Sequence, residues 1–363
     1  MMLLSSIIQT FEAEFLATYQ DTLLPSQRKA LAALKQCRTT QSQVMLAQCD
    51  GCEKQIFIPH SCGHRSCPHC QHHESQQWLE RQLKKQVPAA YFLLTFTFPE
   101  ELRPLAWQHQ RLLYGLMIRC SWETLKTFAR NDPQLQGQAG AISVLHTHSR
   151  RLDYHPHVHV VMPAAAIDAG ERLWRTKTGK ANKSYLFNHK ALAKVFRAKL
   201  LEGIREEGLE LPACYPKTWV VDVKSVGSGD KALVYLGRYL YKGVIQEKDI
   251  IACRDGLVTF RYQDSKTKRM QTRTLPGPKF LWLVLQHILP KGFRRTRNFG
   301  FLHPNSKRLL ELLQRLLKLN PVKTLIGLAK RPPINCPCCG GAMRIVQTRI
   351  PSPLAFGRLA PSG

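Results

Sequence analysis

The stretch that decides the fold is residues 141–162, AISVLHTHSRRLDYHPHVHVVM. Two strand-like runs, AISVLHTH (141–148) and HPHVHVVM (155–162), flank a polar turn at Arg151 to Asp153, which reads as an antiparallel hairpin. Five of the chain's fourteen histidines lie here: His146, His148, His155, His157 and His159. Side chains alternate faces along a strand, so His157 and His159 project together while Val158 points to the other side. Pairing the two runs places His146 and His148 across from His159 and His157, which lets the neighbouring strand supply a third ligand. Imidazole binds divalent metals such as Mn²⁺, and two or three histidines leave positions open for water and phosphate oxygens.

Outward from the hairpin, YFLLTFTF from Tyr91 is aromatic and β-branched and reads as a strand, followed by a helical stretch around Trp107 to Phe128. Downstream come a basic loop (170–184), a helix near 189–207, the strand TWVVDVKSV (218–226) and the helix KALVYLGRYLYKG, closed by Gly243. Strand-like segments follow near 257–275. In that last helix Tyr235 and Tyr239 are four residues apart and share a face, whereas Tyr241 points elsewhere. A phenol titrates near ~10, so it is a usable nucleophile only toward an electrophile already polarised, which a divalent ion on the histidines would supply. Arg238 and Lys242 add positive charge beside the tyrosines. No GxxxxGK[ST] loop occurs, so no nucleotide cofactor is expected.

Before the hairpin, residues 1–36 carry apolar positions at helical spacing, broken near Pro25, and read as two packing helices. Residues 37–73 hold six cysteines and five histidines. Cys49-Asp50-Gly51-Cys52 and Cys67-Pro68-His69-Cys70 are two CxxC pairs, which predict one tetrahedral zinc site, with Cys62 as the substitute ligand and Cys37, His60 and His64 nearby. Toward the C-terminal side, residues 291–331 hold eleven Lys or Arg against one acid, Glu311. On this tail Arg294, Arg295 and Arg297 are the candidates for phosphate contact. Cys336-Pro337-Cys338-Cys339-Gly340 is half a zinc knuckle, whose partner is either elsewhere in the chain or on another subunit.

The whole chain has 53 Lys and Arg against 25 Asp and Glu, a net charge of +28, which points to an anionic partner and above all to nucleic acid. No run approaches the ~20 apolar residues of a spanning helix, and Met1 to Ile8 lacks a basic leader, so neither a membrane partner nor export is expected. Twelve cysteines in such a chain favour metal over disulfides.

YFLLTFTFPEEL, LHTHSRRLDYHPHVHVV, YLGRYLYKG, FRYQD and HILPKGFRRTRNFGFL occur in an order that resembles the two-tyrosine HUH transposases of insertion-sequence family ninety-one, over roughly residues 30 to 345. The resemblance implies an α+β fold with an HUH endonuclease-like domain: a central, mainly antiparallel sheet flanked by helices, preceded by a small zinc-binding module and followed by a helical basic region. The boundaries expected are 1–36 for the helices, 37–86 for the zinc module, 87–290 for the nuclease and 291–363 for the tail. It also implies that His157, Val158 and His159 are the HUH motif, with His146 as third ligand and His148 and Asp153 as rivals, and that Tyr235 and Tyr239 are the nucleophiles. SCGHRSCPHCQ resembles that family's zinc-binding region. Val44 and Met45 stand where the family often has a histidine, which counts against a second zinc there.

The function expected is rolling-circle DNA transposition through a 5′-phosphotyrosine. It would use Mg²⁺ or Mn²⁺ at the nuclease site and Zn²⁺ in the module. Its partners would be single-stranded DNA at the ends of a mobile element, target DNA and a second copy by self-association, in the bacterial cytoplasm at the nucleoid. A replication initiator or relaxase with the same chemistry, and a non-enzymatic zinc protein that binds nucleic acid, are the alternatives.

Overall fold

A computed structural model describes residues 2–70, 72–168, 173–177, 186–241, 244–264, 267–319 and 333–351, and side chains within these except at 72, 73 and 238–241. Helices α1 (Leu4–Tyr19) and α2 (Pro25–Gln36) precede strands β1 (Val44–Cys49) and β2 (Gln55–Pro59) and helix α3 (His72–Leu83). Strand β3 (Tyr91–Thr97) leads through α4 (Arg103–Gln108) to the long α5 (Gln110–Asn131). Strands β4 (Gln138–His148), β5 (Tyr154–Pro163), β6 (Ala165–Asp168) and β7 (Leu173–Thr176) follow, then α6 (His189–Glu206), β8 (Val221–Ser225) and α7 (Asp230–Tyr241). Strands β9 (Ile250–Arg254), β10 (Leu257–Gln263) and β11 (Met270–Pro276) run into α8 (Gly277–Leu285). Then come β12 (Thr296–Gly300), α9 (Lys307–Leu316), β13 (Ile334–Asn335) and β14 (Ala342–Ile350). Among the described residues no helix is long and apolar enough to cross a membrane.

The chain divides into two compact units. One comprises 75–240 and 289–326 and is built on a seven-stranded sheet of order β7-β6-β4-β5-β3-β8, with β12 also paired to β4. Every pairing in it is antiparallel. Alternation makes the sheet two-faced. Phe92, Leu94 and Phe96 of β3, Ala139, Ala141 and Leu145 of β4, and Val158, Val160 and Met162 of β5 all join one core with Leu113, Met117 and Leu125 of α5 and Leu192, Phe196 and Leu200 of α6. Phe96 meets Phe196 with ring centroids 4.9 Å apart. At about 1.5–3 kcal/mol for each large apolar side chain removed from water, this cluster of 35 buried residues is what holds the unit against its chain entropy. At Gly300, which has φ 58°, a Cβ would lie 1.6 Å from the Ala139 carbonyl oxygen, so β12 can leave β4 there only through glycine.

The other unit comprises 1–74, 241–288 and 327–363. In it α1 packs on α8, with Tyr19 stacked on Trp282 at 4.8 Å, and β9–β11 form a three-stranded sheet. A four-stranded sheet of order β13-β14-β1-β2 carries Cys49 at the end of β1 and Cys52, Cys336, Cys338 and Cys339 in its two hairpin turns.

These groupings cross the expected boundaries. Residues 241–288, expected within the nuclease at 87–290, cluster with the N-terminal helices because α8 lays its apolar side on α1. From the expected tail at 291–363, β12 completes the large sheet beside β4 and β14 completes the small sheet beside β1. The module at 37–86 is therefore not closed on itself. Open strand edges seek ladder partners wherever the chain supplies them, which local composition does not reveal.

Candidate active site and metal centres

The face of the large sheet opposite the core carries the polar set. The connection between β4 and β5 is closed by the Ser149 N–H donating to the Asp153 carbonyl at 2.9 Å, with Leu152 at φ 68°. This closure sets a register different from the one expected: His146 lies opposite His157 and Val144 opposite His159. An irregularity after His146 puts His148 opposite Tyr154. Facing residues across a ladder share a side, so His146, His157 and His159 converge on one side with Thr95 and Thr97 of β3, which lie opposite His159 and His157.

The ring centroids are 4.5 Å apart for His146 and His159, 4.9 Å for His157 and His159, and 5.2 Å for His146 and His157. One ligand nitrogen from each lies within 4.8 Å of the other two. His148 and Asp153 are outside this group; Asp153 pairs with Arg151 at 3.8 Å. His155 is also outside it, with its Nδ1 at 2.9 Å from the Arg103 guanidinium.

Local bonds orient two of the rings. His157 Nδ1–H donates to the His155 carbonyl at 2.7 Å, which leaves the Nε2 lone pair as its metal-facing donor. His159 Nδ1 lies 3.0 Å from the Thr95 hydroxyl, a bond that orients the ring. His146 and His159 are buried, at 4% and 8% exposure. Burial and then the neighbouring imidazoles hold His146 and His157 well below the ordinary histidine range, and the charge of Arg295 pushes His146 further down. Burial brings His159 down to about 4. Three neutral imidazoles whose ligand atoms lie this close together are a donor set that suits a divalent ion.

Helix α7 is brought over this face by the turn after β8. The Tyr91 N–H donates to Gly227 and the Val226 N–H to Tyr91, while Gly229, at φ 85°, sits so close that a Cβ would lie 2.5 Å from Tyr91 Cγ. The helix is held from its far side by Ser75, whose hydroxyl donates to the Gly237 carbonyl at 2.8 Å. Tyr235 is thereby set edge-on to His159, with ring centroids 6.3 Å apart. Tyr239 falls one turn further along α7; its side chain and that of Arg238 lie outside the described residues, as does Lys242 entirely.

The basic-tail candidates separate. Arg295 contributes to the imidazole site, its carbonyl accepting from the Leu145 N–H at 2.9 Å. Arg294 and Arg297 line a cleft of about 1140 Å³ with Arg81, Lys85 and Lys307, and with Trp78 and Phe293 as aromatic walls. Burial lowers both Lys85 and Arg297, with Arg81 and Arg294 respectively adding to it. Like charges crowded in a half-buried cleft are relieved by an anion.

The cysteines depart from the expected set. Cys49 and Cys52 are not brought to Cys67 and Cys70. Instead Cys37, Cys62, Cys67 and Cys70 form one four-sulfur group, with Cys37 Sγ at 3.5 Å from Cys67 Sγ and 3.4 Å from Cys70 Sγ. Cys37 caps the end of α2 and so comes from a helix that the CxxC spacing does not mark. Cys62 is a full member here. Cys49 and Cys52 are drawn away because β1 pairs with β14, which carries the C-terminal cysteines to them. Sequence reasoning also missed Thr95 as the partner of His159; its signal was a polar residue at the off-core phase of an apolar strand.

A family profile described as "Transposase zinc-binding domain" matches residues 7–98, and one described as "Putative transposase" matches residues 140–309. The protein named "Putative transposase y4qJ" of Sinorhizobium fredii is 31% identical over 305 residues, covering 77% of this chain and 75% of that protein. The "Transposase for insertion sequence element IS801" of Pseudomonas savastanoi pv. phaseolicola is 29% identical over 265 residues, covering 69% of this chain and 63% of that protein. Among solved structures, the conjugative relaxase TrwC in complex with OriT DNA aligns with a TM-score of 0.27 and 13% identity, over 63% of this chain and 72% of that one, a likeness too low to carry weight.

Proposed function

The chain belongs to the transposase family of these relatives, with the zinc-binding domain of insertion-sequence family ninety-one, and from that membership we propose that it cuts and rejoins single-stranded DNA at the ends of a mobile element during rolling-circle transposition. What carries this reading is the position of Tyr235, 6.3 Å from His159 on the imidazole side of the sheet. His146, His157 and His159 would hold Mg²⁺ or Mn²⁺. When bound, such an ion withdraws charge from a scissile phosphate.

Tyr235 then acts as nucleophile. Its phenolic proton leaves, an O–P bond forms to the tyrosine, and the bond from phosphorus to the 3′ oxygen breaks. That oxygen takes up a proton, giving a free 3′-hydroxyl and a 5′-phosphotyrosine whose retained bond energy permits rejoining without a nucleotide. Tyr239, one turn along α7, serves the second cleavage or the transfer to target DNA. The His155 carbonyl keeps His157 in the binding tautomer, and the Thr95 hydroxyl orients the His159 ring. The cations around Arg294 and Arg297 grip the strand's phosphates. The group of Cys37, Cys62, Cys67 and Cys70 holds a structural zinc.

The test is incubation with end-labelled single-stranded oligonucleotides carrying element ends, in Mn²⁺ or Mg²⁺, followed by denaturing electrophoresis. A protein–DNA adduct is expected in the wild type and absent both in Tyr235→Phe combined with Tyr239→Phe and in His157→Ala. An adduct that survives both changes rejects the site assignment.

A further inference from the structure

We propose that Cys49, Cys52, Cys336 and Cys339 form a second tetrathiolate zinc site, a ribbon assembled from two segments nearly 300 residues apart in sequence. Each segment contributes a CxxC knuckle at the tip of a hairpin: Cys49 to Cys52 between β1 and β2, and Cys336 to Cys339 between β13 and β14. The Sγ atoms of Cys49 and Cys339 are 3.5 Å apart and those of Cys52 and Cys336 3.6 Å. A tetrahedron of sulfurs at the usual Zn–S distance of about 2.3 Å has edges of about 3.8 Å, so four ligands already stand near their bonding positions.

The backbone around them is shaped for thiolates. The Gly51 N–H points at Cys49 Sγ at 3.3 Å and the Cys338 N–H at Cys336 Sγ at 3.4 Å, the same contact two residues into each knuckle. Each knuckle is also closed by its own backbone: Glu53 N–H to the Cys49 carbonyl in one, Gly340 N–H to the Cys336 carbonyl in the other, with Gly340 at φ 72°. The register of β1 on β14 sets Cys49 opposite Met343, and Asp50 meets Arg344 across the junction at 3.0 Å. Cys338, which lies between the ligands, is exposed and outside the group.

A second observation points to metal. The four-stranded sheet has its own cluster of only four buried residues, Ala47, Cys49, Cys336 and Met343, and two of these are ligands. A core of that size does not hold four strands together by burial; small domains of this kind are held by metal or disulfides. The four sulfurs are free thiols. An ion binding them closes a loop of 284 residues between Cys52 and Cys336, so it ties the C-terminal hairpin to the N-terminal one.

The full chain, produced in zinc-depleted, cobalt-supplemented medium, tests this through sulfur-to-Co²⁺ charge-transfer absorption, in which the sulfur-free imidazole site is silent. The wild type is expected to show the intensity of two tetrathiolate sites. Cys336→Ser with Cys339→Ser removes half of it, Cys49→Ser with Cys52→Ser removes the same half, and all four changes together remove no more. Cys338→Ser leaves the spectrum unchanged. Should the serine variants fail to fold, Cys339→His keeps a tetrahedral site with three sulfurs, and its band shifts and falls by about one sulfur's share. Full intensity in a folded Cys336/Cys339 variant, an unchanged spectrum for Cys339→His, or a wild-type intensity equal to one tetrathiolate site overturns the proposal.

Discussion

The seven-stranded and four-stranded sheets are both antiparallel, yet they are held by different means. The large sheet presses one face onto α5 and α6 through a cluster of 35 buried residues, which leaves its other face available for polar chemistry. The small sheet's own cluster holds four buried residues, two of them cysteines. A site that must fix three imidazoles against a tyrosine needs a rigid platform beneath it, and burial on the far face supplies one. A sheet without such a core would reach the same order through the metal–ligand bonds of the proposed second zinc site.

The largest expected effect breaks this contrast at the core. Phe96→Ala, at a fully buried position on β3 against Phe196 of α6, is expected to cost about 3–5 kcal/mol and to lower the unfolding midpoint of the large unit. Ile58→Ala, at a half-buried position against the small cluster, costs about 1 kcal/mol while the metal stays bound. Denaturant titration followed by far-ultraviolet dichroism measures both, and equal losses would contradict the division of labour.

A smaller effect sharpens the role of the polar face. Thr95→Val removes the hydroxyl on His159 Nδ1 without opening a cavity. Metal affinity at the imidazole site is expected to fall by about 10–100-fold with the melting temperature nearly unchanged. Isothermal titration with Mn²⁺ measures the affinity, and an unaltered value removes Thr95 from the site.

The smallest effect concerns pH. The three imidazoles are held neutral in the fold, His159 down to about 4, while in the unfolded chain they take up protons near the ordinary 6.5. The unfolded state therefore binds more protons between these values, and stability contributed by the cluster is fully present above pH 6.5 and lost as pH falls toward 4. In protein freed of Mg²⁺ and Mn²⁺, the melting temperature should drop over that window, and His159→Ala should flatten the drop. An equal slope in wild type and variant would count against neutral, buried ligands.

Much of the large sheet was legible from residues alone, because strand alternation is a local property. The run YFLLTFTF and the triplet of His157, Val158 and His159 announce their faces, and the i, i+4 spacing places Tyr235 and Tyr239 on one side of a helix. The pairing of His146 was legible only as a choice among neighbours, since the register depends on how the 149–153 turn closes. The zinc grouping was misread for a related reason. CxxC spacing identifies knuckles but does not say which two knuckles share an ion, and the expected set of Cys49, Cys52, Cys67 and Cys70 gave way to two sets that draw Cys37 from a helix end and Cys336 and Cys339 from β14's hairpin.

What the sequence determined by itself was therefore composition and local geometry: which side chains could hold metal, which two tyrosines share a helix face, and a charge of +28 that calls for an anion. Tertiary structure alone decided the company those residues keep. Register, strand-edge pairing and knuckle partnership are set by contacts between segments far apart in the chain, and those contacts depend on what each edge and face can bury against, which is a property of the whole fold and not of any short stretch.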